Sequence, residues 1–127
     1  MSNTTLSSWN NEHFLIKLVG RLFILTAFTH WIQLFIYPTE MHIIGAALFG
    51  VIYFLIGFNI FRGSTKILWA GTVLPTIGAV LGGYRFWFLH RNPFSIFHIS
   101  IDIIVVPLCI YILVNYRLVR NSRINQD

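Results

Sequence analysis

Asp102 is the residue of this sequence best placed to do chemistry, because it is the only acidic residue inside a long apolar run. His98 precedes it by four residues, so a helix would present both side chains on one face. Ser95 and Cys109 fall on the same stripe. An unpaired charge inside a bilayer costs about 2.5–3.5 kcal/mol even on the gentler insertion scales. We therefore expect Asp102 to face a partner or a cavity.

Arg85 is the predicted partner of Asp102. It lies about seven residues before the Asn92-Pro93 turn and Asp102 about nine after it, so at 1.5 Å per residue the two differ in depth by roughly 3 Å across an antiparallel helix pair. Arg85 also continues a face of small residues that points toward neighbouring helices. The sequence predicts an ion pair between Arg85 and Asp102.

Further polar residues fall at the same end of the molecule: His30 and Gln33 in the first apolar run, Glu40 and His42 just after it. Two interpretations stay open. In the first, Arg85, Asp102, His98 and Gln33 form a structural polar network. In the second, side chains from this end ligate copper, iron or zinc, bind haem, or hydrogen-bond a quinone. The candidates for that role are His30, His42, His98, Asp102 and Glu40. The first interpretation is favoured, so we expect no intrinsic cofactor.

Composition requires that these groups be held inside a membrane. Of the 127 residues, 56% are hydrophobic and 10% are charged, and the mean hydropathy is +0.70. A soluble domain has about a quarter charged residues, so this balance excludes an ordinary soluble domain and a disordered chain. The single cysteine excludes an intramolecular disulfide and a multi-cysteine zinc site.

Four apolar runs, 14–37, 43–61, 67–88 and 96–116, are each close to the roughly 20 residues that cross a bilayer as a helix. The runs do not alternate as barrel strands would, and short links with turn residues separate them. The predicted fold is all-α, an integral membrane bundle of four antiparallel up-down helices. Residues 1–127 form one domain with a short polar N-terminus and a basic C-terminal tail. The polar first dozen residues do not resemble a signal peptide, so the first run should remain in the protein.

Positive charge predicts the orientation, since cytoplasmic loops carry excess Lys and Arg. Only Arg85 and Arg91 fall on one side, and we expect the other side to be cytoplasmic together with both termini. It carries Lys17, Arg21, Arg62, Lys66, Arg117, Arg120 and Arg123. The location expected is the cell membrane.

Small residues recur at helical spacing and predict where helices approach closely, because lipid competes equally for larger apolar side chains. Packing within the four-helix unit is favoured over a dimer seam. The predicted packing positions are Ala46, Gly50, Gly57, Gly71, Gly78 and Gly82.

No phosphate-binding loop, nucleophile elbow or metalloprotease motif occurs, and basic residues are not interleaved with exposed aromatics as in nucleic-acid binding. We therefore expect a non-catalytic accessory subunit of a larger membrane complex, such as an oxidoreductase or monooxygenase of prokaryotic energy metabolism. It would contact lipids and other membrane subunits through glycine-rich and aromatic faces.

One alternative is a homo-oligomeric transporter or channel using Asp102, Arg85 and His98. A second is a redox membrane anchor that binds haem or quinone. In span pattern alone, the chain is similar to small four-helix membrane proteins of the DoxX type.

Overall fold

Four α-helices make up nearly all of the described chain. A computed structural model describes residues 3–39, 41–62, 64, 66–89 and 91–124, with side chains described between residues 13 and 116 of those ranges. The helices are α1 (Asn3–Ile36), α2 (Met41–Phe61), α3 (Ile67–Phe88) and α4 (Pro93–Ile124). The described residues contain no strand. The predicted all-α class is thus confirmed.

Each helix contains a stretch long and apolar enough to cross a membrane. The four candidate spans are His13–Ile36, Met41–Phe61, Ile67–Phe88 and Pro93–Tyr116. Large apolar side chains such as Phe35, Met41 and Phe88 are exposed around the outside, where acyl chains would cover them. The molecule is suited to lipid as its solvent, in agreement with the sequence.

Three helices extend further than the apolar runs indicate. α1 begins at Asn3 within the polar N-terminal segment, α2 begins two residues before its predicted start at Ile43, and α4 begins three residues before its predicted start at Ile96. Asn92 caps α4, since its side-chain oxygen accepts a hydrogen bond from the Phe94 amide at 2.8 Å. Pro93 occupies the first helical position, where its missing N–H costs nothing.

Glycines set the contact between α1 and α2. A Cβ built on Gly57 would lie 2.9 Å from the carbonyl oxygen of Gly20, and one on Gly50 would lie 2.7 Å from the Trp31 indole nitrogen. The later glycine of α2 thus meets the earlier part of α1, so the two helices run antiparallel. The backbones approach this closely because neither position of α2 carries a side chain.

The pair formed by α3 and α4 is also antiparallel. A Cβ on Gly71 would lie 3.1 Å from Cys109 Sγ, one on Gly78 would lie 3.6 Å from Asp102 Oδ2, and one on Gly82 would lie 3.6 Å from Ile99. These contacts lie between helices of the same chain.

The packing joins two hairpins into one body. α1 packs most extensively on α2 and α3 on α4, α1 contacts α4 less, and α2 and α3 have the smallest contact among the helix pairs that touch. The buried apolar core is contributed by all four helices, with Phe23 from α1, Tyr53 from α2, Leu68 from α3 and Val105 from α4. At one end, the loose approach of α2 and α3 leaves space between the helices.

Candidate functional site

A cavity of about 220 Å³ occupies that space. It lies at what we call the histidine end, the level of His30, His42 and His98. Every helix contributes to its wall, including Arg85 of α3 and Asp102 of α4. At 1.5 Å per residue, the lining side chains attach from about 1.5 Å (His42) to about 18 Å (Tyr53) inward from the helix ends at this side. The cavity therefore lies within the candidate membrane spans.

Asp102 is held by a partner that the sequence analysis did not identify. Its carboxyl group is only 3% exposed, and its Oδ1 accepts a hydrogen bond of 2.8 Å from the hydroxyl of Tyr53. Gly78 makes room for this pair, because a Cβ there would lie 3.0 Å from the Tyr53 hydroxyl oxygen. The glycine of α3 thus allows α2 and α4 to meet across the cavity.

The two buried histidines form a second contact pair. The rings of His30 and His98 stack with centroids 3.8 Å apart, and Nε2 of His98 lies 2.8 Å from the hydroxyl oxygen of Thr29. That hydroxyl also donates to the carbonyl oxygen of Thr26, so its oxygen is left to accept a hydrogen bond from His98 Nε2. The ring of Tyr53 packs on His30 with centroids 5.5 Å apart. A continuous chain of contacts thus links Asp102, through these rings, to Thr29.

Arg85 and Asp102 share the cavity wall. Arg85 lies in the last turn of α3 and is partly buried, and the antiparallel pairing with α4 places it at the end of the cavity nearer the loops. The two residues therefore lie on neighbouring helices and line the same cavity, as an ion pair between them would require. The direct ion pair between them stays a prediction.

Gln33 does not line the cavity. It is buried on α1, and its Oε1 accepts a hydrogen bond of 3.3 Å from the side-chain Nδ2 of Asn92. Asn92 thus joins the start of α4 to the end of α1 while capping its own helix. The predicted network is divided accordingly: Arg85, His98 and Asp102 meet at the cavity, and Gln33 belongs to a separate contact.

Metal ligation receives no support from the described residues. Among them, no group of three or more His, Cys, Asp or Glu side chains could hold a metal ion. Stacked imidazoles direct their in-plane lone pairs side by side instead of toward one ion, so His30 and His98 are poorly arranged as a ligand pair. His42 lines the cavity. Glu40, the remaining candidate ligand, lies outside the described residues.

The polar groups at this end do not satisfy one another completely. Nδ1 of His30 and Nε2 of Gln33 are buried and have no hydrogen-bond partner among the described residues. Helix-joining polar groups normally find partners, because an unpaired buried donor or acceptor costs about 1–3 kcal/mol. Of these two residues, His30 lines the cavity, so one unsatisfied polar group belongs to the cavity wall.

The sequence contained signals for the partners that were missed. Thr26, Thr29, His30 and Gln33 recur at steps of three and four, which marks one polar stripe on an apolar helix. Tyr53 lies in the middle of its span, whereas tyrosines in membranes prefer the interface. It also falls between Gly50 and Gly57 on the packing face of α2, which indicates a buried hydroxyl in need of an acceptor.

No protein-family model, no curated protein and no solved structure matches this chain. The chemistry of the cavity is therefore argued from its own residues: two stacked imidazoles, a carboxyl group bonded to a phenol, and a guanidinium within the span of a bilayer.

Proposed function

We propose that the chain is a small accessory subunit of a larger complex in the cell membrane, with both termini on the cytoplasmic side. The observation that carries this proposal concerns α3. In the most apolar part of α3, 17% of residues are buried, against 33% in each of the other helices. Among the described spans, α3 therefore has the smallest buried share, and we take its uncovered face as the one that meets a neighbour.

Small residues on α3 favour a helix over lipid as the occupant of that face. Gly83 has only open space around it, since a Cβ built there would meet nothing within 4 Å among the described residues. Ala79 lies four residues earlier on the same stripe. Glycine weakens a helix relative to larger residues, and a side chain at position 83 would meet none of the described residues within 4 Å of its Cβ. A partner helix approaching along Ala79 and Gly83 would supply a packing contact.

The experiment is native electrophoresis of detergent-solubilised native membranes, followed by mass spectrometry of the band that contains the chain. We expect a band far above the 14.7 kDa of the chain, with other membrane proteins at fixed stoichiometry. The Gly83→Leu variant should release the chain from that band. Gly45→Leu is the matched control, because Gly45 is equally open but lies on α2. A monomer or a lone homodimer in native membranes would contradict the proposal.

A second candidate function is transport by a homo-oligomer whose pathway uses Asp102, Arg85 and His98. The placement of all three on one intramembrane cavity favours it, since ionisable residues in spans commonly mark ion or proton paths. The test is proton uptake into liposomes that contain the purified protein and a pH-sensitive dye. We expect uptake with the unmodified chain and its loss in Asp102→Asn, which keeps an acceptor for Tyr53. Uptake equal to that of empty liposomes would exclude this function.

A further inference from the structure

Small residues of two neighbouring helices line the cavity at the histidine end. They are Gly45 and Ala46 of α2 and Gly78 and Gly82 of α3. A Cβ on Gly45 would meet nothing within 4 Å in the described part of the chain. Because every lining residue belongs to a candidate span, we expect a ligand to enter from the bilayer through an opening at these small residues.

The volume of the cavity sets the size of the ligand. A protein cavity of about 150 Å³ accommodates benzene, and the present cavity measures about 220 Å³. One substituted six-membered ring therefore fits. The apolar wall, which includes Phe49, Leu81 and Ile99, is typical of a site for a ring with only a few polar atoms.

The polar wall sets the chemistry of that ring. The guanidinium of Arg85 offers N–H donors, and so does the imidazole of His30, whose Nδ1 has no hydrogen-bond partner among the described residues. The carboxyl group of Asp102 offers acceptor oxygens. Because cationic and acidic groups share one small volume, an anionic head group would meet the carboxyl group as well as the guanidinium. A neutral ring with oxygens at its edge can accept hydrogen bonds from the N–H donors. In its phenolic form it can also donate a hydrogen bond to the carboxyl group of Asp102.

We propose that this cavity binds the ring of a lipid-soluble quinone or its quinol, with the apolar tail of the ligand leaving between α2 and α3. Arg85 and His30 donate to the oxygens of the ring, and Asp102 accepts from the hydroxyl of the reduced form. The proposal concerns binding alone and is independent of the partner complex, because the site lies within one chain.

The test is equilibrium dialysis of ubiquinone-1 and ubiquinol-1 against the purified chain in detergent. We expect saturable binding of about one ligand per chain. Gly45→Leu places a side chain in the opening and should weaken binding by at least tenfold. Gly83→Leu is the matched control, since Gly83 is also open but does not line the cavity, and its affinity should equal that of the unmodified chain. Both variants should unfold at the temperature of the unmodified chain.

Three outcomes would overturn the proposal. They are the absence of saturable binding, equal loss of affinity in Gly45→Leu and Gly83→Leu, and displacement of the quinone by an equal concentration of oleate, which would identify an anionic lipid as the preferred ligand. Failure here leaves the subunit proposal intact, because that proposal depends on Gly83 and this one on Gly45.

Discussion

At the scale of single residues, the bond between Tyr53 and Asp102 is the contact on which the site most depends. Tyr53 is 1% exposed and Asp102 is 3% exposed, so water does not replace either partner when the other is removed. Without the Tyr53 hydroxyl, Oδ1 of Asp102 would stay buried and lose its hydrogen-bond donor. Leaving a buried acceptor unsatisfied normally costs more free energy than forming a hydrogen bond contributes.

We expect Tyr53→Phe to lower the free energy of unfolding by about 1–3 kcal/mol, because it leaves a buried acceptor unsatisfied. Reversible unfolding of the helices in mixed detergent, followed by circular dichroism, measures it. Tyr111→Phe is the control, since Tyr111 is exposed on α4. Equal losses for the two variants would argue against a stabilising role of the Tyr53 hydroxyl.

The predicted ion pair is tested by a double-mutant cycle. Arg85→Leu and Asp102→Leu should each destabilise by roughly 3–5 kcal/mol if they strand the other charge in the interior, and the double variant should recover much of that loss. Unfolding in mixed detergent, followed by circular dichroism, gives the free energy of unfolding of the two single variants and of the double variant. Strictly additive losses would refute direct pairing, and Asp102 would then depend on Tyr53 alone.

At the scale of helices, backbone proximity explains why some glycines are required and others are not. The Cβ of an alanine at position 57 would be 2.9 Å from the Gly20 carbonyl oxygen, which belongs to the backbone of α1 and cannot rotate away. At position 45 the same atom would have no neighbour within 4 Å in the described chain. Sequence spacing alone does not distinguish the two.

We expect Gly57→Ala to lower the free energy of unfolding by about 1–3 kcal/mol, the usual range for overpacking. Gly45→Ala should be neutral or stabilising by up to about 1 kcal/mol, because alanine favours the helix. Thermal unfolding of both variants in the same detergent measures these two changes in stability. Destabilisation by Gly45→Ala that matched the Gly57→Ala loss would mean that the glycines serve helix flexibility and not close packing.

The sequence predicted the helices well because a bilayer imposes length and composition on each span independently. The predicted end of α2 at Phe61 and both bounds of α3, 67–88, agree with the structure. Residues 3–12 of α1 were not predicted as helix, since lipid does not constrain the residues outside a span. Side-chain partners were harder: Tyr53 and Asp102 meet because two helices cross at one level, and periodicity within one helix contains no such information.

At the scale of the whole molecule, the distribution of positive charge predicts which side of the membrane holds the termini. A fluorescent protein fused after Asp127 should fluoresce, because it would remain in the cytoplasm. Alkaline phosphatase fused after Thr39 should be active, because it would lie on the other side. The reversed pattern would refute the proposed orientation, and charge-neutral variants of Arg62 and Lys66 would show whether that charge sets it.

The division into two hairpins also bears on how the chain is made. Thr29 of α1 finds its side-chain partner His98 on α4, and Gln33 finds Asn92, which directly precedes α4. Because α4 follows the other three helices along the chain, the polar stripe of α1 has neither partner until α4 joins them. We expect quality-control proteases to recognise an incompletely assembled molecule by that stripe.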